Sequence, residues 1–233
     1  MILTIMFIVI TMKTTEVYSG LLSGVISAIV FNPIDKIIFS CCIEGKSLFS
    51  RETFRNLFKG SLNNVGTRLI TSGLYFTYID YYASITESKA QVSLMTAMLC
   101  GVTSPMQLVK YNSWYNNSST YATAMKIYKT YGLRGFAIGC PQLVLRDFLF
   151  NYIYLSNKKK DDHLNNLLVI STALVVTSPV NLVRNMKYSK NEPLSGIIKN
   201  FKFSQLGLGM TIGRSCLCFY SSQIFYDCIK SHL

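Results

Sequence analysis

Three arginines stand at matching offsets behind a glycine. Gly139 precedes Arg146 by seven residues, Gly207 precedes Arg214 by seven, and Gly60 precedes Arg68 by eight. A guanidinium is a planar fork that grips phosphate or carboxylate through two parallel hydrogen bonds. Arginines repeated at nearly one offset therefore point to anion binding. Asp147 follows Arg146 directly and offers a counter-charge, either to that arginine or to an ammonium group. Other chemistries lack their residues. The seven cysteines are odd in number, form no C-x-x-C pair and lie far from His163 and His232, so no metal is expected. In apolar surroundings they read as small buried residues. No glycine-rich phosphate loop and no Ser/His/Asp or Cys/His constellation occurs, so neither an enzyme nor a cofactor is expected.

The elements that must hold these arginines are apolar. Half of the residues are hydrophobic and only 15% are charged, against about 25% charged in an average soluble domain. That balance excludes disorder and argues against an ordinary cytosolic enzyme. The 23 basic residues against 11 acidic leave a net charge of +12, which suits an anionic solute, anionic lipid or nucleic acid. The aromatic interleaving of a nucleic-acid platform is missing, so nucleic acid is not the expected partner. Six segments are long, weakly polar and rich in Gly, Ser and Thr: Val17 to Phe31, Leu62 to Ala83, Val92 to Val109, Pro141 to Leu155, Leu164 to Val183 and Leu206 to Ile229. A spanning helix needs ~20 mostly apolar residues. Polar residues within each segment suit helices that face one another or a wet cavity. The competing reading is a soluble domain of amphipathic helices. The apolar run Met1 to Met12 is too short to span and has no basic region before it, so it reads as an extension of the first helix or as lying upstream of a start at Met12.

The chain repeats. Pro33 stands in Phe-Asn-Pro-Ile-Asp, while Pro105 and Pro179 share Thr-Ser-Pro-x-[Gln/Asn]-Leu-Val-[Lys/Arg]; the spacings are 72 and 74 residues. Each proline lies near the end of one apolar segment, and the glycine and arginine follow in the next. The unit is helix, basic loop, helix, used three times: 14–86, 87–160 and 161–233.

This organisation resembles the mitochondrial carrier family, whose odd helices carry Pro-x-[Asp/Glu]-x-x-[Lys/Arg]. Here Asp35 keeps the acid of the first repeat, with Ile38 at the basic position and Lys36 nearby. Lys110 and Arg184 keep the basic residues of the second and third, with Gln107 and Asn181 in place of acids. Tyr226-Asp227-Cys228-Ile229-Lys230 matches the family's second motif, and Phe58-Lys59-Gly60 keeps part of another. The resemblance covers residues 14 to 232. It implies an all-α membrane protein with six transmembrane helices in three tandem two-helix repeats, pseudo-three-fold symmetry and short matrix-side helices.

It also implies roles. Asp35 would pair with Lys110 and Gln107 with Arg184 in a matrix gate below Pro33, Pro105 and Pro179, while Asn181 gains nothing from Ile38. Asp80 with Lys158, beside Asp227 and Lys230, would form a cytoplasmic gate. The substrate site would take Thr67 or Arg68, Arg146, Asp147, Gly213 and Arg214, with Tyr75 or Tyr78 stacking on a base. Lys36 is expected at solvent or lipid headgroups. Arg51, Arg55, Lys59, Lys126, Lys129, Arg134, Lys199 and Lys202 are expected against anionic lipid such as cardiolipin. The expectation is a monomeric carrier in the mitochondrial inner membrane that moves a small anionic solute, a nucleotide or deoxynucleotide, by alternating access. The Arg146-Asp147 pair keeps an amino-acid or carnitine-type substrate open, and the worn gate motifs keep open a carrier-like scaffold that transports nothing.

Overall fold

The structure, a computed structural model, describes residues 14–54, 57–58, 61–71, 75–159, 162–199 and 207–232. The apolar run at residues 1–12, and Arg55, Lys59, Gly60 and Lys202, lie outside the described residues. All regular structure within them is helical. The principal rods are α1 (Thr14–Cys42), α2 (Ser61–Thr71), α3 (Tyr75–Ile85), α4 (Lys89–Gly101), α5 (Ser104–Tyr115), α6 (Thr120–Tyr131), α7 (Cys140–Asn157), α8 (His163–Lys190), α9 (Leu194–Lys199) and α10 (Leu208–His232). A 3-10 segment, Gly132–Ala137, joins α6 to the turn before α7.

The starts of these helices follow from their sequence. The Ser88, Ser119 and Asp162 side chains accept the N–H groups of Gln91, Ala122 and Asn165, satisfying donors that a helix start leaves unpaired. Gly139 and Gly207 stand immediately before α7 and α10 with φ of +77° and +52°. That left-handed turn is open to glycine at little cost, and it is the same at the two glycines that precede Arg146 and Arg214.

Pro33 and Pro179 lie inside α1 and α8, as the repeat predicts. Pro105 does not: it opens α5, which is bent from α4 by 53°. A proline removes the bond to the carbonyl four residues back. In α8 the freed Val175 carbonyl accepts a hydrogen bond from the Ser178 hydroxyl at 2.8 Å, and the rod continues. In the second repeat Val102 and Thr103 turn their N–H groups to Leu99 and Cys100, three residues back, and the rod breaks. The Gly101 carbonyl left over by Pro105 receives the Cys140 thiol at 3.8 Å.

Packing runs in a closed order. α1 meets α2 and α3, α3 meets α4, α4 meets α7, α7 meets α8, α8 meets α10, and α10 returns to α1. Phe39, Trp114, Leu182, Met186 and Ile197 knit α1, α5, α8 and α9 together, and Phe150, Tyr154, Ile170 and Leu174 lock α7 to α8. Ile29, Val30, Leu168, Val175, Val176 and Leu217 point outward instead, which is the wrong face for water and the right one for lipid.

Among the described residues two helices are long and apolar enough to cross a membrane, Gly20–Cys42 and Leu164–Lys190; α4 with α5 makes a third if the bent pair is one span. Of the other expected spans, Leu62 to Ala83 is divided between α2 and α3, each of 11 residues and too short to cross, while α7 and α10 carry many polar residues. α7 carries Arg146, Asp147 and Asn151, and α10 carries Arg214 and Ser215. Those side chains all border the interior cavity rather than the outer face.

Candidate functional site

A cavity of about 250 Å³ lies between the rods, with walls from α1, α2, α3, α4, α5, α7, α8 and α10. Five cationic side chains border it, Arg68, Lys110, Arg146, Arg184 and Arg214, against two carboxylates, Asp35 and Asp147. Among the described residues that line it, the formal charge balance is therefore +3. Inside a low-dielectric wall, such an excess attracts an anion more strongly than at an open surface.

The centre of this network is Asp35, in the turn of α1 that follows Pro33. Arg214 Nε lies 2.6 Å from its Oδ1, and Arg214 Nη2 donates to its Oδ2 at 2.9 Å. Arg68 Nη2 and Lys110 Nζ reach the same Oδ2 at 3.7 and 3.9 Å. Lys110 also donates to Asn64 Oδ1 at 2.8 Å, while Asn64 Nδ2 donates to the Ala28 carbonyl at 3.1 Å. Across the cavity Arg146 pairs with Asp147, and the guanidinium lies over the Phe150 ring at 5.5 Å. The Tyr75 hydroxyl donates to Asn151 Oδ1 at 2.7 Å. Arg184 donates to Asn185 Oδ1 at 3.0 and 3.3 Å.

The expected substrate residues Arg68, Tyr75, Arg146, Asp147 and Arg214 are brought to one cavity, with Thr67 beside them. Gly213 is not: it is exposed, and a Cβ built there meets nothing within 4 Å. It follows on the helix from a simple rotation, since the face that turns Arg214 inward turns its neighbour outward. Arg214, expected to contact the solute, is held by the Asp35 carboxylate. Of the two pairings expected at the matrix gate, one is present and one is not. Asp35 reaches Lys110, but at the longest of its three ion-pair distances. Gln107 and Arg184 do not pair: Gln107 Nε2 donates to Thr103 Oγ1, its own helical neighbour one turn back, at 3.1 Å. Asn181 Oδ1 is buried without a hydrogen-bond partner among the described residues, in keeping with the apolar Ile38 it was expected to face.

Lys36 is the clearest reversal. It is buried, 7% exposed, with its ammonium 5.1 Å from the centre of the Trp114 ring. An indole face compensates a desolvated cation through its quadrupole, and one Trp at position 114 serves Lys36 and Lys110 together. Tyr78 is fully buried and stacks on Tyr82, away from the cavity. Asp80, Asp227 and Lys230, expected at the second gate, have side chains outside the described residues, and Lys158 is exposed, 5.6 Å from the Tyr154 ring. Arg51, Lys126, Lys129, Arg134 and Lys199 are exposed as expected.

Two cavity residues carry signals that went unread. Asn64 stands one turn before Arg68, on the same helix face. Asn151 stands four residues after Asp147 in the same relation. Among the described residues no group of three or more His, Cys, Asp or Glu could hold a metal. Compared with known protein families and with curated proteins, the chain matches none.

Proposed function

We propose that the protein is a three-repeat solute carrier of the mitochondrial-carrier type. In this reading six rods cross the inner membrane, α2 with α3 and α4 with α5 each serving as one, and α6 and α9 lie on the matrix side. The solute is an anionic metabolite, a nucleotide or deoxynucleotide, moved by alternating access. One observation carries the reading: the arginines found at equal offsets behind Gly139 and Gly207, together with Arg68, border one interior cavity whose described lining holds five cationic side chains and two carboxylates. The closed packing order of the rods and the shared left-handed glycines support it further. The cavity, about 250 Å³, sits just under the roughly 300–1,000 Å³ of small-molecule pockets. A nucleotide therefore enters through a wider state, which alternating access supplies.

A second reading has its own observation. Arg146 and Asp147 form a zwitterionic pair in the cavity wall, and that pair complements an amino acid or carnitine-like solute. Uptake into liposomes containing the purified protein separates the two. ATP and deoxynucleotides are compared with arginine, lysine and carnitine. Uptake of the first set, competed by unlabelled nucleotide, is expected; uptake of only the second set selects the amino-acid reading. Uptake of none rejects transport and leaves a membrane scaffold.

A further inference from the structure

Asp35 sits where the charged end of an anionic solute belongs. Arg214 holds both of its oxygens: Nη2 donates a hydrogen bond to Oδ2, and Nε lies in ion-pair contact with Oδ1, as a guanidinium can hold the oxygens of a carboxylate or a phosphate. Arg68 and Lys110 close on the same oxygen from two other helices, and all four groups border the cavity. We infer that Asp35 is an internal competitor for the solute. Its carboxylate occupies the anion position, and a solute binds by exchanging its own oxyanion for that of Asp35 on Arg214, Arg68 and Lys110. The inference rests on the anion-carrier reading and specifies how that site is regulated.

The charges select the displacing group. Among the described residues the cluster sets three formal positive charges against the one carboxylate of Asp35. A phosphate monoester carries about −1.5 to −2 near neutral pH and compensates them better than a second carboxylate does. The exchange also has a mechanical side. Asp35 belongs to α1, Arg68 to α2, Lys110 to α5 and Arg214 to α10. A solute that takes its place releases α1 from three helices in one step, so binding and loosening become one event.

The chain's single Trp makes the exchange observable. Trp114 has its ring centre 4.5 Å from Lys110 Nζ, so its fluorescence reports on this cluster. The full chain in detergent is titrated with inorganic phosphate at fixed ionic strength. Asp35→Asn keeps the shape and removes the competing charge; it is expected to bind phosphate ~10–100-fold more tightly than wild type, because a charge-assisted pair no longer has to be broken. Arg214→Ala is expected to bind at least ~10-fold more weakly. A folded Asp35→Asn variant that binds phosphate no more tightly than wild type overturns the inference. Should Asp35→Asn not fold, the wild-type chain decides. Infrared difference spectra with isotope-labelled aspartate are expected to show a carboxylate band moving on phosphate addition, and Asp35→Glu lacks that labelled band. No such band overturns the inference equally. Liposome uptake is scored separately: uptake without an Asp35 effect removes the inference and keeps the carrier, and the Asp35 effect without uptake does the reverse.

Discussion

At the scale of single residues, Asp147 is the position at which the two proposed solute classes part. It is buried, 8% exposed, and its carboxylate is engaged by Arg146. Replacing it with Asn keeps its volume and removes one negative charge from the wall. Nucleotide uptake by Asp147→Asn is expected to persist or rise, since a charge that repels phosphate has gone. If the solute is an amino acid, the same change removes the partner of its ammonium group and uptake is expected to fall ~10–150-fold, the range for one charged hydrogen bond. Initial-rate uptake of both solute classes by wild type and variant makes the measurement. The arginines of this site were legible because an arginine in an apolar segment has few other uses and their offsets matched. Lys36 was not legible. A lysine near a helix end ordinarily reaches solvent, and the indole that holds this one lies 78 residues further along the chain.

At the scale of elements, the two left-handed glycines aim α7 and α10. Gly139 is the more confined, since a Cβ there would lie 2.5 Å from Cε1 of Tyr188. That ring cannot step aside cheaply: it is fully buried, stacks on Tyr111 and bonds Ser104 at 2.8 Å. Gly139→Ala combines an unfavourable φ with overpacking and is expected to lower stability by about 2–4 kcal/mol. Gly213→Ala, with open space around it, serves as the neutral comparison. Thermal unfolding of both variants in detergent checks the difference. Helix content and the places of Pro33 and Pro179 could be read from apolar runs and repeat spacing. The break between α4 and α5 could not. The Thr-Ser-Pro stretch is the same at 103–105 and 177–179, yet only the former interrupts its rod. What differs is tertiary: Cys140, on another helix, takes the carbonyl that Pro105 leaves free.

At the scale of the molecule, the first and last rods pack side by side in opposite directions. The start of α10 meets the end of α1, where a Cβ at Gly207 would run into Cys42 Sγ and Arg214 grips Asp35. The beginning of α1 and the end of α10 therefore share one end of the bundle. Thr14→Cys and a tag placed after Leu233 are expected to be labelled from the same face of sealed membranes. Labelling from opposite faces refutes the arrangement of six crossings. The repeats predict an even number of rods but are silent on how the ends close, because no local pattern records a contact between residues 179 positions apart.

That distance has a consequence in time. A ribosome adding about 5–20 residues per second needs roughly 10–40 s to proceed from Asp35 to Arg214. Throughout that interval the nascent chain holds a carboxylate whose nearest partner has not yet been made. Arg68 arrives first and Lys110 next, each at the looser distances seen in the finished protein. Until the final helix is synthesised, only those two looser neighbours, among the described residues, are on hand to offset the charge of Asp35.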